Sequence, residues 1–376
     1  MPSVAIIGTR GYPSYYGGFE TAVRKLAPYL CDAGWDVTVY GRRGATKLDD
    51  PTLDPRVQST FTAGLDSKSF STLSFGLTAT LAASRANHDV ALVMNVANGY
   101  YLPLLKARGI RTIVNVDGIE WDRAKWGAVA KSVFRGGARA TARYADALVY
   151  DSKEIERRWE ADFRRTGHFI PYGGDSIQTL PLEPGLTHRG YVLVVARFVP
   201  ENTIPEFLDA ASQIARETPV VIVGSSGYKG ELDERVRVLE RQNANIRWMG
   251  HISDDRRLLA LWQHAGVYFH GHSVGGTNPT LVQAMTLGAP VLARDTVYNR
   301  EVLSDAGRYV APTAERIVEG VRLIMGDPDL QTDLSVRGSR RAGEFYTWEG
   351  VCAAYEAALT DQLRNVQRTE QRAAMA

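Results

Sequence analysis

The chain has 376 residues, 44% of them hydrophobic and 23% charged, and its 44 basic side chains nearly balance 42 acidic ones. Two domains are predicted, because a single hydrophobic core stops growing at roughly 250–300 residues. The balanced charge excludes binding to nucleic acid through overall charge. No apolar run approaches the roughly 20 residues that a membrane-spanning helix needs.

The amino-terminal sequence contains the apolar segment VAIIG without a preceding basic segment, which is not typical of a secretory signal. Cys31 and Cys352 match no metal-ligand spacing, so buried free thiols of a reducing compartment are expected. We therefore predict a cytoplasmic protein.

Short apolar segments alternate with segments of helical periodicity along most of the chain. Five of them lie in the first half, at 4–8, 36–41, 90–96, 111–116 and 147–152. Five more lie in the second half, at 191–198, 219–224, 245–250, 266–271 and 290–295. Strands that are apolar throughout and separated by helices are typical of parallel sheets covered on both faces.

The alternation is interrupted once, at 173–190, where glycine, proline and polar residues dominate. This segment is the predicted linker, so the pattern predicts two doubly wound α/β domains, at 1–178 and 179–345. Residues 346–376 are helical in composition and end in a polar tail that we expect to fray.

The first strand leads into the loop GTRGYPSYYGG, which precedes a helical pattern. In an open parallel sheet, ligands bind at the carboxyl ends of the strands. Gly17 and Gly18 let the backbone approach a ligand closely, and N–H groups at a helix start attract anions. A flexible turn without a ligand is the alternative. The loop lacks the G-x-G-x-x-G spacing, so a dinucleotide-dependent dehydrogenase is weakly supported.

A second polar cluster, VNVDGIEWDRAKW, follows a strand at 114–126. The carboxylates of Asp117 and Glu120 can accept hydrogen bonds from sugar hydroxyls, and tryptophan can stack on the apolar face of a sugar. The alternative is structural, with Asp117 capping a helix and Trp121 buried in the core.

The second half carries two further clusters at strand ends. Arg197 in VVARFVPEN has the forked guanidinium that suits phosphate, although a surface ion pair is the commoner use of one arginine. The segment 269–285, FHGHSVGGTNPTLVQAM, is a second glycine-rich loop before a helix. One such loop in each domain suggests a ligand held between the domains.

Six basic residues lie in the segment 123–143, with apolar and aromatic residues between them. A basic amphipathic helix is typical of binding to an anionic membrane surface. A solvated helix face is an equally open alternative.

With these motifs in order along nearly the whole chain, the sequence resembles the family 4 glycosyltransferases of the GT-B fold. Within that family it is most similar to bacterial rhamnosyltransferases that build capsule and cell-wall polysaccharide. The motifs that carry the resemblance are GTRGYPSYYGGFET, DGIEWDRAKW, ARFVPEN, GHSVGGTNPTLVQAM and YNREVL.

The resemblance implies an α/β protein with two doubly wound, Rossmann-like domains that face each other across a cleft. The first domain would bind the acceptor and the second the nucleotide-sugar donor, while the helix in 346–376 would cross back onto the first domain. It also implies a retaining transfer without a bound metal or other cofactor, in which the donor's own phosphate takes the acceptor proton.

Carried over onto this sequence, the family motifs place Asp117, Glu120 and Arg197 in catalysis. Asp117 would orient the acceptor or the donor, and Arg197 would bind the pyrophosphate. The residues implied in donor binding are Gly17, Gly18, Arg197, Asn202, Gly275, Gly276, Thr277, Asn278, Gln283, Asn299 and Glu301.

The sequence departs from the broad family at two pairs of positions. The Glu-x7-Glu pair reads Gly275 and Gln283; the rhamnosyltransferase group also tends to have glycine at the first position, whereas Gln283 binds a sugar hydroxyl less strongly than a carboxylate. The Arg-x4-Lys pair reads Arg197 and Asn202, so one positive charge is missing. The candidates to supply it are Arg10, Lys229 and Arg300.

The function that the resemblance implies is transfer of L-rhamnose from dTDP-L-rhamnose onto a lipid-linked or oligosaccharide acceptor at the inner membrane face. Three alternatives stay open: a transferase that uses a UDP- or GDP-hexose, a sugar-nucleotide epimerase of the same fold, and a non-catalytic protein that binds nucleotide sugars.

Overall fold

The computed structural model describes residues 1–15, 17–46, 49–65, 71–123, 126–227 and 230–374, with side chains described through residue 364. The chain divides into two compact units. Unit 1 comprises Met1–Tyr172 and Trp348–Ala376, and unit 2 comprises Gly173–Thr347. The divisions therefore fall a few residues from the boundaries that the sequence pattern suggests.

Unit 1 contains a parallel sheet of seven strands in the order β3-β2-β1-β4-β5-β6-β7. The strands are β1 (Ser3–Ile7), β2 (Asp36–Arg42), β3 (Gln58–Thr62), β4 (Val90–Met94), β5 (Arg111–Asn115), β6 (Ala147–Tyr150) and β7 (His168–Phe169). The helices between them are α1 (Gly18–Asp32), α2 (Ser71–Ala83), α3 (Leu102–Lys106), α4 (Ala128–Tyr144) and α5 (Lys153–Phe163), with short 3-10 helices at Val96–Tyr101 and Glu120–Asp122.

Unit 2 contains a parallel sheet of six strands in the order β10-β9-β8-β11-β12-β13. The strands are β8 (Val192–Val195), β9 (Val220–Val223), β10 (Ile246–Gly250), β11 (Val267–His270), β12 (Val291–Arg294) and β13 (Gly307–Val310). The helices are α6 (Ile204–Ile214), α7 (Glu231–Gln242), α8 (Asp255–His264), α9 (Pro279–Thr286), α10 (Val297–Leu303), α11 (Ala314–Met325) and α12 (Pro328–Phe345), with a 3-10 helix at Pro200–Asn202.

The ten predicted strands are all present, which confirms the doubly wound α/β class. The sequence pattern did not predict β3, β7 and β13, and each of these is an edge strand of its sheet. Edge strands are partly exposed, so QSTFT in β3 and GRYV in β13 lack the continuous apolar character of the central strands.

The strand order reverses between β1 and β4 in unit 1, and between β8 and β11 in unit 2. At such a point the loops that follow the two central strands run in opposite directions and leave a crevice. In unit 1 the two loops meet at Gly8, where φ is +92° and a Cβ would lie 2.3 Å from the carbonyl oxygen of Met94. Only glycine fits this position without displacing the backbone.

The last described helix, α13 (Trp348–Ala374), packs within unit 1. Cys352, Tyr355 and Leu359 are buried in the same hydrophobic core as the central strands β1 and β4. The Tyr355 hydroxyl accepts a hydrogen bond of 2.6 Å from the Asn115 amide at the end of β5. The fold of unit 1 therefore uses both ends of the described chain.

The predicted linker, 173–190, has no helix or strand of its own but is attached to unit 2. Its buried residue Glu183 accepts hydrogen bonds from Arg257 at 2.7 and 2.9 Å and from Arg247 at 2.9 Å. The hydrogen bonds and charge of Arg257, followed by the charge of Arg247, lower the pKa of Glu183 below its ordinary value of 4.5.

This ion cluster should make unit 2 sensitive to acid. Because the folded state holds Glu183 ionised, its stabilisation is complete above the ordinary pKa of 4.5 and is lost as pH falls through the lower folded value. We expect Glu183→Gln to destabilise the protein at pH 7 and to flatten the fall in free energy of unfolding below about pH 4.5. Urea denaturation at pH 7, 5 and 4 measures both effects.

The matched control is Glu319→Gln, which breaks an exposed ion pair with Arg316 in the same unit. Exposed pairs contribute about 0–1 kcal/mol, so this variant should resemble the wild type at each pH. Equal acid sensitivity in the Glu183 variant and the wild type would show that the cluster does not couple folding to pH.

Candidate functional site

The loop after β1 is folded against the neighbouring strands instead of standing open. Tyr12 is only 1% exposed; its hydroxyl accepts a hydrogen bond from the Asp54 amide at 3.1 Å, and its carbonyl accepts one from the Ser59 hydroxyl at 2.9 Å. Tyr15 is exposed and donates to the Asp50 carboxylate at 2.7 Å. Tyr12 therefore anchors the loop in the core, and Tyr15 lies at its surface.

Some amides of this loop already have partners within the loop and the first turn of α1. The Arg10 amide donates to Glu20 Oε1 at 3.0 Å, and the Gly11 amide donates to the Thr9 hydroxyl at 3.1 Å. Gly17 is the N-cap of α1 and has no side chain that could cap the helix, and Gly18 begins the helix. The predicted backbone contacts of this glycine pair thus lie at a helix start.

The carboxyl ends of β4 and β5 hold two residues in the left-handed region of backbone space. Asn95 has φ of +72° and Asp117 has φ of +61°. The Asn95 amide donates to Asp117 Oδ2 at 3.3 Å, and the Asp117 amide donates to Asn115 Oδ1 at 2.9 Å. Such backbone strain persists only where the surroundings fix it, and it clusters at functional sites.

Three carboxylates of unit 1 influence the ionisation of the buried Tyr172 hydroxyl. Burial, and then the negative charges of Asp117, Asp151 and Glu20, raise the pKa of Tyr172 well above its ordinary value. The half-buried Asp117 therefore lies in an electronegative part of unit 1 that is suited to accepting hydrogen bonds from neutral hydroxyls. Asn95, Asp151 and Tyr172 were not identified from the sequence, because none belongs to a recognisable motif.

A small recess lies between β1, β2 and α2 in the same unit. Gly8, Thr9 and Arg42 lie on its strand side, and Phe75 lies on its helix side. The Arg42 guanidinium lies 4.5 Å from the centre of the Phe75 ring and donates to the Ser71 hydroxyl at 2.6 Å. The guanidinium therefore covers one face of the ring, and the recess, about 10 Å³ in volume, has room for about one water molecule.

Glu120 is buried in an ion pair. Its Oε1 lies 2.5 Å from Arg123 Nε, and its Oε2 accepts a hydrogen bond of 2.8 Å from Trp126 Nε1. Trp121 packs with Trp159 as part of a buried aromatic cluster. This arrangement favours the structural alternative for Trp121, and it gives Glu120 a structural task; the catalytic role of Glu120 stays a prediction.

In unit 2, the loops after β8 and β11 are bound to each other at the point where the strand order reverses. Asn202 Nδ2 donates to the Arg197 carbonyl at 2.8 Å, while Asn202 Oδ1 is 2.6 Å from His272 Nδ1. The Thr203 hydroxyl donates to the Gly271 carbonyl at 2.6 Å. Arg197 itself is exposed beside these contacts, where it can reach a ligand.

A second set of contacts ties the end of β12 to the same place. Asn299 is buried, and its amide donates to the carbonyls of His272 and Arg294, both at 2.9 Å. The Arg294 guanidinium donates to the Thr203 hydroxyl at 3.0 Å. His272 and Arg294 were not predicted from the sequence as site residues, although His272 lies within the motif GHSVGGTNPTLVQAM.

Several predicted donor-binding residues have structural contacts of their own. Asn278 caps α9 by accepting a hydrogen bond from the Thr280 amide at 3.0 Å. Gln283 pairs with the backbone of Asp175, donating to its carbonyl and accepting from its amide, both at 2.9 Å. A glutamate at position 283 could not make the first of these bonds, because a carboxylate is only an acceptor.

The remaining predicted residues lie on the loop after β11 and on α10. Gly275 has φ of +89°, which favours glycine, and Thr277 is buried. Gly276 and Glu301 are half-buried. The ligand contacts predicted for all of these residues stay predictions.

Of the three candidate cations, Arg300 is held by Asp295 through hydrogen bonds of 2.6 and 2.8 Å and lies 4.5 Å from the centre of the Tyr309 ring. Arg10 belongs to unit 1, and Lys229 lies outside the described residues. The basic side chain in contact with Asn202 is that of His272, and the Arg294 guanidinium binds the neighbouring Thr203.

Two family models match successive parts of the chain. The model described as Glycosyl transferase 4-like domain matches residues 17–173, and the model described as Glycosyl transferases group 1 matches residues 184–341. Together the two matches span 315 of the 376 residues, and the chain belongs to the glycosyltransferase family that both models describe. Members of this family are enzymes, and the match confirms the family predicted from the motifs.

This glycosyltransferase is 26% identical over 172 residues to the O-antigen chain mannosyltransferase B of Escherichia coli, and the match covers 44% of each chain. The matched part is thus less than half the length of that relative.

Solved structures share the fold of this glycosyltransferase at low sequence identity. Sucrose-phosphate synthase of Thermosynechococcus elongatus has a TM-score of 0.76 at 19% identity, with 100% of both chains covered. Anabaena HepE in complex with UDP-glucose has a TM-score of 0.75 at 13% identity, with 96% of this chain and 100% of that chain covered. The predicted GT-B class is therefore confirmed.

The buried ion pair of Glu120 should matter for stability. Glu120→Gln keeps an acceptor for Trp126 but leaves the Arg123 guanidinium, 14% exposed, without its counter-charge. Breaking a buried pair costs about 3–5 kcal/mol, so we expect a loss near the lower limit because the neutral amide still accepts a hydrogen bond. Urea denaturation followed by tryptophan fluorescence measures the change.

The control is Glu154→Gln, which breaks the more exposed pair with Arg157 at the same sequence spacing. It should lose less than about 1 kcal/mol. If Glu120→Gln is as stable as the wild type but has a lower turnover rate per folded molecule, Glu120 acts in catalysis and its ion pair with Arg123 contributes little to stability.

Proposed function

We propose that this glycosyltransferase moves a sugar, with retention of configuration, from a nucleotide diphosphate donor onto a glycan or lipid-linked acceptor. The observation that carries the proposal is the pair of cross-linked loops after β8 and β11, which presents Arg197 where the strand order of unit 2 reverses. Parallel α/β sheets bind nucleotides at this kind of position.

The proposed donor is dTDP-L-rhamnose, and a UDP- or GDP-hexose is the alternative. The motif resemblance to polysaccharide rhamnosyltransferases supports the first. The alternative is supported by the similarity to a mannosyltransferase of O-antigen chains and to HepE, which was solved with UDP and with UDP-glucose.

In the proposed reaction, the bond between the sugar's anomeric carbon and the diphosphate breaks, and a bond to the acceptor oxygen forms on the same face. The acceptor proton passes to the departing diphosphate. Arg197 binds that diphosphate and neutralises its growing charge, while Asp117 orients a sugar hydroxyl. We propose that no metal takes part, because the family resemblance implies charge neutralisation by protein groups.

The proposed acceptor site in unit 1 is the carboxyl end of β5, where Asp117 is half-buried and Asn95 and Asn115 hold it in place. A carboxylate there accepts hydrogen bonds from the hydroxyls of a sugar. This proposal agrees with the assignment of the acceptor to the first domain that the resemblance implies.

We also propose that α4 attaches the enzyme to an anionic membrane surface. Arg135, Arg139 and Arg143 are exposed at a spacing of four residues, which places them on one helix face. Val129, in the first turn, is 80% exposed. Within the described ranges no helix is both long and apolar enough to cross a bilayer, so the proposed attachment is peripheral.

A donor screen is the primary test. Thermal shifts with dTDP-L-rhamnose, UDP-glucose and GDP-mannose identify the donor, because a ligand that binds only the folded state raises the melting temperature. The bound nucleotide sugar is then incubated without acceptor. Conversion of the sugar to an epimer would make the protein an epimerase, and binding without turnover across an acceptor panel would make it a non-catalytic partner.

Arg197→Ala should reduce turnover by roughly 10²–10³-fold, the usual loss when one group that stabilises developing charge is removed. Arg197→Lys keeps the charge without the fork and should lie between this variant and the wild type. Arg216→Ala, which removes an exposed arginine just after α6, is the control and should keep full activity. Full turnover of Arg197→Ala would exclude Arg197 from the site.

Membrane attachment is tested by sedimentation with phosphatidylglycerol vesicles at low salt. Replacing Arg135, Arg139 and Arg143 by Gln should abolish co-sedimentation, as should high salt. A triple Gln variant at the arginines of α7 is the control for lost charge. Equal sedimentation of both triple variants would contradict a role for α4. The three arginines replaced in α7 are Arg235, Arg237 and Arg241.

A further inference from the structure

We infer that His272, oriented by Asn202, supplies the positive charge on the donor diphosphate that this chain lacks at the lysine position of the Arg-x4-Lys pair. The inference rests on the proposed function. It assigns a ligand-binding role to His272, which is not one of the two positions of the Arg-x4-Lys pair. Asn202 is then a positioning residue and does not itself contact the donor.

Asn202 cannot replace the lysine directly, because its amide is already engaged at both ends. It is 9% exposed, Nδ2 donates to the Arg197 carbonyl at 2.8 Å, and Oδ1 lies 2.6 Å from His272 Nδ1. A lysine has three donors and no acceptor, so it could not hold the imidazole in this way. In this chain Asn202 therefore stands where a lysine would bind the diphosphate directly, and His272 carries the positive charge instead.

The hydrogen bonds of Asn202 fix which nitrogen of His272 carries the proton. Since Nδ2 donates to a carbonyl, the atom facing His272 is the oxygen, so His272 Nδ1 is the donor. In this tautomer Nε2 is an acceptor in the neutral ring and a donor in the imidazolium. Only the imidazolium suits a diphosphate, through both its charge and its Nε2–H.

His272 is also fixed in place beside Arg197. Its carbonyl accepts the Asn299 amide at 2.9 Å, and the Ser273 amide donates to the Glu201 carbonyl at 2.9 Å. The loops after β8 and β11 are thus joined by the Asn202–His272 and Ser273–Glu201 contacts, and Asn299 joins α10 to the same place. A cation held on such a framework loses little conformational entropy when the ligand binds.

The charged and titratable groups around His272 come from four elements. Burial, and then the charge of His272, lower the pKa of His270 well below its ordinary value, so His270 stays neutral and does not supply the charge. Arg197 and Glu201 lie on the loop after β8 that contacts His272 and Ser273, and His270 lies on β11. Asn299 of α10 links the His272 and Arg294 carbonyls, and α10 also carries Arg300 and Glu301.

The consequence is a donor affinity that falls as pH rises. The probe is the nucleotide sugar that gives the largest shift in the donor screen. Both of its phosphates are bridged, so it lacks the monoester that titrates near pH 6 and keeps a constant charge between pH 6 and 8. Calorimetry should show binding to the wild type roughly 10-fold weaker at pH 8 than at pH 6.

His272→Gln should bind roughly 10-fold more weakly than the wild type at pH 6 and should lose the pH dependence. Asn202→Asp keeps an acceptor for Nδ1 and adds a negative charge, so it should move the midpoint of the pH profile upward. A purely structural role for Asn202 would leave that midpoint unchanged. His251→Gln removes an exposed histidine of the same unit and should keep the wild-type profile.

The outcomes separate this inference from the proposed function. If no nucleotide sugar binds the wild type, both are overturned. If one binds equally at pH 6 and 8, or if His272→Gln keeps the wild-type pH dependence, only the inference is overturned. Should His272→Gln fail to fold by circular dichroism, the profiles of the wild type and Asn202→Asp decide, and an unchanged midpoint overturns the inference.

Discussion

Buried parallel strands bring polar groups to their carboxyl ends, and each of those groups needs a hydrogen-bond partner. In unit 2 that need is met by side chains of neighbouring loops: Thr203 donates to the Gly271 carbonyl, and Asn299 donates to the carbonyls of His272 and Arg294. The same bonds hold three strand ends together where the strand order reverses. The geometry of the candidate donor site thus follows from satisfying the backbone.

The central strands could be predicted from the sequence because burial on both faces requires them to be apolar throughout. The ends of the sheets could not, since β3 and β13 are partly exposed and carry polar residues. The linker was recognised by its composition, but its attachment to unit 2 depends on Glu183 meeting Arg247 and Arg257. Those arginines are distant in sequence, and no local pattern pairs them.

The candidate site was predicted less completely, and the reason is chemical. Amide and carboxylate side chains that suit a sugar also suit a helix cap or a buried backbone group. Asn278, Gln283 and Asn299 all have such structural contacts, which a motif match cannot distinguish from ligand contacts. Arg197 differs because it is exposed at a strand end, and that property depends on topology that the strand pattern already predicted.

The packing of α13 in unit 1 has a consequence for synthesis on the ribosome. Unit 2 is one continuous segment, whereas unit 1 needs Tyr355 and its neighbours to complete a core that begins with β1. Domains fold as units while the chain emerges. Unit 2 can thus reach its native state before unit 1, whose apolar surface stays uncovered until the segment of α13 has been translated.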